Sequence, residues 1–240
     1  MRRLSLPVAA LGAVLAFAST AHGQAAAPTN RFLVVPSAGY IRFDEASELA
    51  SFGAKVLHPS TIAPAVRLGI PVSVLNSRRP EGRGTLIAFD APRRPVTAIA
   101  GKEGVTVVKV RSPRMLLVHG FLARIFEIFD RHRTSVDVVA TSEISVSLTI
   151  DDAPPLDALL VDPSQLGDVS VERNRGIVAL VGAGLGADSE AMARALGALK
   201  GMRVHMLSLS ASGINLTMLL DAEQVPAAMR NLHSAFFSAS

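Results

Sequence analysis

Three stretches of this 240-residue chain carry residue types and spacings that could do chemistry. In the run Met115–Leu122 an apolar strand end is followed by Gly120 and the start of a helical stripe. The first N–H groups of a helix have no intrahelical acceptor, so they suit an incoming carboxylate. A glycine just ahead of them lets a ligand approach the backbone closely. The second stretch holds Ser135-Val136-Asp137 and then Thr141-Ser142-Glu143. Asp137 suits a ligand ammonium, Glu143 offers another carboxylate nearby, and the hydroxyls of Thr141 and Ser142 add hydrogen bonds. A carboxylate-binding corner beside such acids would grip a zwitterion. The plainer reading makes Phe121, Leu122 and Val136 core residues, and Asp137 and Glu143 solvated turn residues.

The third stretch, Gly182-Ala183-Gly184-Leu185-Gly186, stands before a helix. It lacks the full dinucleotide-loop spacing and the downstream acid, so it predicts a flexible entry to that helix. Lys55 and His58 lie at a helix end. No second histidine or carboxylate stands at ligand spacing from His58, so no metal site is expected.

The elements that must position these residues follow from periodicity. Phe43–Leu57 and Ser60–Leu68 read as helices separated by His58-Pro59, and Ile70–Leu75 and Thr85–Phe89 as strands. After the Pro-rich Ala91–Pro95 linker come a lone strand at Val96–Ala100 and a regular series. That series is strand Val105–Arg111, helix Phe121–His132, strands Val136–Ala140 and Ile144–Ile150, helix Leu156–Leu166 and strand Val169–Glu172. Its order is the β-α-β-β-α-β of ferredoxin-like folds. A second series, Ile177–Gly182, Ser189–Leu199, Val204–Ser208, Asn215–Leu220 and Val225–Phe237, ends without a fourth strand. An unpaired sheet edge is a liability, so Val96–Ala100 is expected to fill the vacancy.

Composition narrows the function. At 49% hydrophobic and 18% charged residues, the chain can build a packed core. A net charge of +4 and 5% aromatics argue against a nucleic-acid partner. Zero cysteines remove disulfides, thiolate metal sites and a cysteine nucleophile. Residues 1–23 have the charged, apolar and small-residue pattern of an export signal, ending at Ala21-His22-Gly23, and 24–30 read as a linker. The apolar run Leu4–Phe17 is too short to span a bilayer, so no membrane partner is expected once the leader is removed.

Residues 43–87, FDEASELASFGAKVLHPSTIAPAVRLGIPVSVLNSRRPEGRGTLI, resemble the end of the catalytic domain of aspartate kinases. In that family GAKVLHP precedes a PV-V-N strand and a P…GT turn. MLLVHGFLARIFEIF at Met115–Phe129, and Ser135–Asp151 with its TSEISVSLTID, resemble the family's paired ACT domains, most closely those of lysine-sensitive members. The resemblance covers residues 31–237. It implies an α/β (α+β) chain: a remnant of an amino acid kinase domain at 31–90, one ACT domain at 105–173, and a second from 96–100 and 177–237.

The same resemblance puts Met115, Gly120, Phe121, Leu122, Ser135, Val136, Asp137, Thr141, Ser142 and Glu143 at effector-contact positions. It implies an amino-acid effector, lysine first and threonine second, and a homodimer formed through the ACT domains. Leu117 and Val118 stand where some lysine-sensitive relatives are more polar. Lys55 matches a family lysine that approaches the nucleotide, where an ammonium would neutralise phosphate charge. The family's reaction is ATP-dependent phosphorylation of L-aspartate, the first step towards lysine, threonine and methionine, and its compartment is the cytoplasm. Its Lys-Phe-Gly-Gly strand and aspartate-binding motifs do not occur in these residues. No catalytic residue and no bound cofactor are therefore expected, ATP and Mg belonging to the intact family.

Overall fold

The computed structural model describes residues 13–14, 31–34, 39–52, 59–75, 77, 81–82, 84–117, 119–151 and 162–238. Apart from Ala13 and Val14, the leader-like residues 1–23 lie outside that set, as do Lys55 and His58. Two sheets organise the chain. The smaller contains β1 (Ala13–Val14), β3 (Tyr40–Arg42), β4 (Val72–Val74) and β5 (Thr85–Ala88), in the order β1-β4-β5-β3. Helices α1 (Phe43–Ser51) and α2 (Pro59–Leu68) accompany it. The larger is built on β6 (Ala98–Arg111), β7 (Val139–Thr141), β8 (Ser145–Asp151), β9 (Asp168–Val181), β10 (Met206–Leu209) and β11 (Asn215–Asp221). Its order is β10-β11-β9-β6-β8-β7, with β2 (Arg31–Val34) also pairing with β6. Helices α3 (Phe121–Arg131), α4 (Ser189–Ala198) and α5 (Val225–Phe237) complete the elements used below.

The long strands β6 and β9 correct the sequence reading. Val96–Ala100 and Val105–Arg111 were expected as two strands, as were Val169–Glu172 and Ile177–Gly182. Each pair is one 14-residue strand. The residues read as breaks are a bulge instead: Gly104 (φ 72°) and Asn174 (φ 58°) adopt left-handed backbone, and the register shifts between Glu103 and Val107 while pairing continues. The first half of β6 pairs Ala98, Ile99 and Ala100 with Val181, Leu180 and Ala179, beside β11. Its second half lies between β8 and the first half of β9. Two ferredoxin-like units thus share their central strands.

Each unit has its own core. Under α3, the stripe Phe121, Ile125, Ile128 and Phe129 packs on Val108, Val110, Val146, Leu148 and Ile150. Under α4 and α5, Ala191, Ala195, Val225, Ala228 and Leu232 pack on Ile99, Val178, Leu180, Leu216 and Met218. The opposite face of the shared strands is covered too: Phe43, Ala46 and Leu49 of α1 join Ala98, Ala100 and Val181. This alternation of Ile99 towards one layer and Ala98 and Ala100 towards the other is the period-2 pattern of a strand buried on both faces. Two further expectations shift at their ends. The strand expected at Val136–Ala140 starts at Val139. The helix expected at Leu156–Leu166 falls largely outside the described residues, whose next element is a short 3-10 turn at Pro163–Gln165.

Candidate functional site

The two units present topologically equivalent corners, where a central strand hands over to the first helix. In the first unit, Gly120 is the N-cap of α3, with φ 77° and no side-chain cap. Among the described residues, a Cβ at Gly120 would meet nothing within 4 Å beyond its chain neighbours and its own helix. The corner is open, and the free amide dipoles at the helix start face space that a carboxylate could use.

In the second unit the same corner is filled from within. Glu45, fully buried on α1, accepts the Ala183 N–H at 2.8 Å and the Thr97 hydroxyl at 2.9 Å on Oε1, and the Arg42 N–H at 3.0 Å on Oε2. The Gly184 N–H donates to the Arg94 carbonyl and the Gly186 N–H to the Gly213 carbonyl. Asp188 caps α4 by accepting the Ala191 N–H at 2.9 Å. The glycine-rich run is therefore a close-packed junction, which corrects the expectation of a flexible entry. A Cβ at Gly182 would lie 2.1 Å from the Pro95 carbonyl oxygen, and one at Gly186 only 2.5 Å from the Gly213 Cα. Glu45 escaped the sequence reading. Its signal was an acid three residues into a helix, where a capping box places one.

The predicted effector residues fall into four places. Phe121 is core, Met115 and Val136 pack against the same core, and Leu122 and Gly120 are exposed at the corner. Ser135, Val136 and Asp137 line a cleft of about 560 Å³ together with Glu48 and Phe52 of the α1 region, and Ser208, Ser210, Asn215 and Thr217 of the second unit. The Asp137 N–H donates to the Thr149 carbonyl, fixing this segment beside β8. Thr141, Ser142 and Glu143 are exposed at the β7–β8 turn, where the Ser142 and Ser145 hydroxyls lie 2.7 Å apart. The Gly120 corner is not part of the Asp137 cleft's lining. Ser135, Val136 and Asp137 share one wall of this cleft, and Gly120 and Leu122 do not line it.

Charge is unevenly spread around that wall. Lys102 is 2% exposed, and its ammonium pairs with Asp137 Oδ2 and, at 2.6 Å, with Asp151 Oδ1. Glu48 accepts a hydrogen bond from the Asn215 side-chain amide across the cleft. Further along the shared strands, Lys109 pairs with Glu172, and Arg175 joins Glu172 to Asp221, which also meets His205 at 3.0 Å. The hydrogen bond from Lys109 holds the Glu172 carboxyl below its ordinary value of 4.5, with Arg175 acting in the same direction and partial burial opposing both. Among the described residues, no group of three or more His, Cys, Asp or Glu could hold a metal ion, and no helix is long and apolar enough to cross a membrane.

Two ferredoxin-like units interlocked through shared strands, with an additional unit of sheet and helices packed on their outer face, define an ACT-type regulatory region. An ACT-domain family model matches residues 178–236. The chain is 39% identical over 206 residues to the lysine-sensitive aspartokinase 3 of Escherichia coli, covering 82% of this chain and 46% of that protein. It is 37% identical over 211 residues to the chloroplastic aspartokinase 3 of Arabidopsis thaliana, covering 82% and 38%. The solved E. coli aspartokinase III with lysine and aspartate superposes with a TM-score of 0.74 at 38% identity, covering 83% of this chain and 46% of that one. A C-terminal regulatory domain of aspartate kinase from Porphyromonas gingivalis superposes with a TM-score of 0.52 at 39% identity, over 58% of this chain and 96% of that domain. The chain belongs to the aspartokinase family and carries its ACT-bearing regulatory region. It spans less than half the length of the curated relatives named here.

Proposed function

We propose that this chain is an amino-acid sensor whose effector is lysine, with threonine as the second candidate. The observation that carries the reading is the contrast between the corners: the second is filled by Glu45, Gly213 and Asp188, whereas the first is left uncapped behind Gly120. An uncapped helix start offers N–H groups to a carboxylate, and Asp137 offers its carboxylate to an ammonium. Because the Gly120 corner is not part of the Asp137 cleft's lining, we place the complete receptor between two copies, the Gly120 corner of one meeting the Ser135–Asp137 segment of its partner. That arrangement makes the sensor a homodimer joined through its first ACT units. The structure of the E. coli relative in complex with lysine and aspartate supports lysine as the ligand.

Phosphoryl transfer rests on phosphate positioning and charge neutralisation. The glycine-rich loop that superficially suits phosphate has committed its amides to Glu45, Arg94 and Gly213. We therefore propose that this loop binds no phosphate and that the described residues do not themselves phosphorylate aspartate. A cytoplasmic location is our first reading, and the leader-like residues 1–23 support a second, an exported amino-acid-binding protein.

Calorimetric titration with lysine, threonine and methionine tests the sensor: saturable heat with lysine is expected, and silence with all three overturns it. Sedimentation should give twice the chain mass in the presence of lysine. A coupled ADP-release assay with aspartate and ATP should show no turnover. Mass spectrometry of the mature amino terminus decides between the compartments, an intact Met1 excluding export.

A further inference from the structure

Lys102 is a buried cation that the sensor reading leaves unused. Its ammonium sits between two carboxylates from different elements, Asp137 ahead of β7 and Asp151 at the end of β8. An unpaired ammonium in a protein interior is strongly disfavoured, so Lys102 must keep at least one of these partners in any folded state. The partners differ in what else they do. Asp151 ends a strand whose register is fixed against β6, opposite Val105. Asp137 lies in irregular backbone on the wall of the cleft, with its side chain 22% exposed.

We propose that Lys102 is a built-in competitor for the effector: in the ligand-free chain its ammonium occupies Asp137, and an amino-acid ligand binds by taking that carboxylate over while Lys102 falls back on Asp151. The proposal rests on the reading that Asp137 receives the ligand's ammonium. The exchange is isoelectric at Asp137, one ammonium for another, and Asp151 keeps the buried cation paired throughout. Two carboxylates on one ammonium are what such an exchange requires, since a single pair would leave Lys102 bare on ligand binding. Lys102 also sits in the half of β6 that pairs with the second unit through Ile177, immediately before the bulge at Gly104. A change in its partner is therefore felt on the strand common to both units, which gives the ligand a way to bias more than its own corner.

Calorimetry with lysine on the full chain and three variants tests this, each variant first checked for a native far-UV spectrum and cooperative melting. Asp137→Asn should lose binding; if it binds like the wild type, the sensor reading itself falls. Lys102→Met removes the competitor, so lysine should bind roughly tenfold tighter, the scale of one charge-assisted hydrogen bond. Asp151→Asn leaves Lys102 with Asp137 as its carboxylate, so lysine should bind several-fold weaker. Unchanged or reversed affinities in these two variants, with Asp137→Asn still silent, overturn the competition and leave the sensor reading standing. Should Lys102→Met not fold, the wild type decides alone. Saturating lysine should shift the Lys102 side-chain ammonium resonance in ¹H–¹⁵N spectra, and an unmoved signal refutes the exchange.

Discussion

The corner at Gly120 and the corner at Gly182 occupy the same place in two copies of one fold, yet they differ in nearly every contact. At the second, each amide that could meet a ligand meets the protein: Ala183 binds Glu45, Gly184 binds Arg94, Gly186 binds Gly213, and Asp188 caps the helix. At the first, a left-handed glycine precedes a helix with no side-chain cap, and among the described residues no atom beyond its chain neighbours and its own helix lies within 4 Å of where a Cβ would stand. Saturating a corner with internal hydrogen bonds makes it a joint between domains. Leaving it unsaturated costs stability that a ligand can restore, since binding to the folded state alone stabilises that state. The same topology thus serves as fastening in one unit and as receptor in the other.

The largest expected effect comes from adding a methyl group to each corner. Gly182→Ala drives a Cβ to 2.1 Å from the Pro95 carbonyl oxygen, and backbone cannot yield as a flexible side chain would. Overpacking of this kind should lower unfolding stability by about 3 kcal/mol. Gly120→Ala meets no neighbour, so its penalty is only that of an L-residue at φ 77°, about 1–2 kcal/mol. Urea unfolding should rank the two variants in that order. Lysine titration should invert the ranking, with Gly120→Ala the more damaging to binding. Equal losses of stability would erase the distinction between fastening and receptor.

Next in size is the helix cap. Asp188→Ala removes the acceptor of the Ala191 N–H and should cost about 1 kcal/mol, with lysine affinity unchanged. No equivalent residue exists to delete in the first unit, which is the contrast in its simplest form.

Much of this division was legible in the sequence, and the parts that were not have a common cause. The order of strands and helices among the described residues, the α3 stripe Phe121, Ile125, Ile128 and Phe129, and the pairing of the Val96–Ala100 region with the second series follow from periodicity and from the need to close a sheet edge. The continuity of β6 and β9 did not follow. Gly101-Lys102-Glu103-Gly104 and Arg173-Asn174-Arg175-Gly176 combine charge with glycine, and such runs read as turns. They remain in the sheet because their charges have partners distant in sequence: Lys102 reaches Asp137 and Asp151, and Arg175 reaches Asp221. Glu45 was opaque for the same reason, since its burial depends on Thr97 and Ala183, 52 and 138 residues away. A buried ion or carboxylate is specified by tertiary partners that no local pattern contains.

The smallest expected effect probes the strands that the two units share. Glu172 lies on the first-unit half of β9 and Arg175 next to the bulge at Asn174, so the chain of ion pairs Lys109–Glu172–Arg175–Asp221 runs from one unit to the other. With its folded-state carboxyl held below 4.5 by Lys109 and Arg175, Glu172 contributes stability that is fully present above its unfolded value. That contribution is lost as pH falls through the lower, folded-state value. Glu172→Gln removes the titration, so the variant should be less stable than the wild type at pH 7 by no more than about 1 kcal/mol, the scale of a solvent-exposed pair. The gap between them should close at lower pH, once Glu172 is protonated in the folded wild type. High salt should narrow it at pH 7 as well, because charges this exposed are screened. Thermal melts of both proteins from pH 7 downward supply the test. A gap that persists in acid would assign the role of Glu172 to shape rather than charge, and the two units would then be joined by packing of β6 against β9 alone.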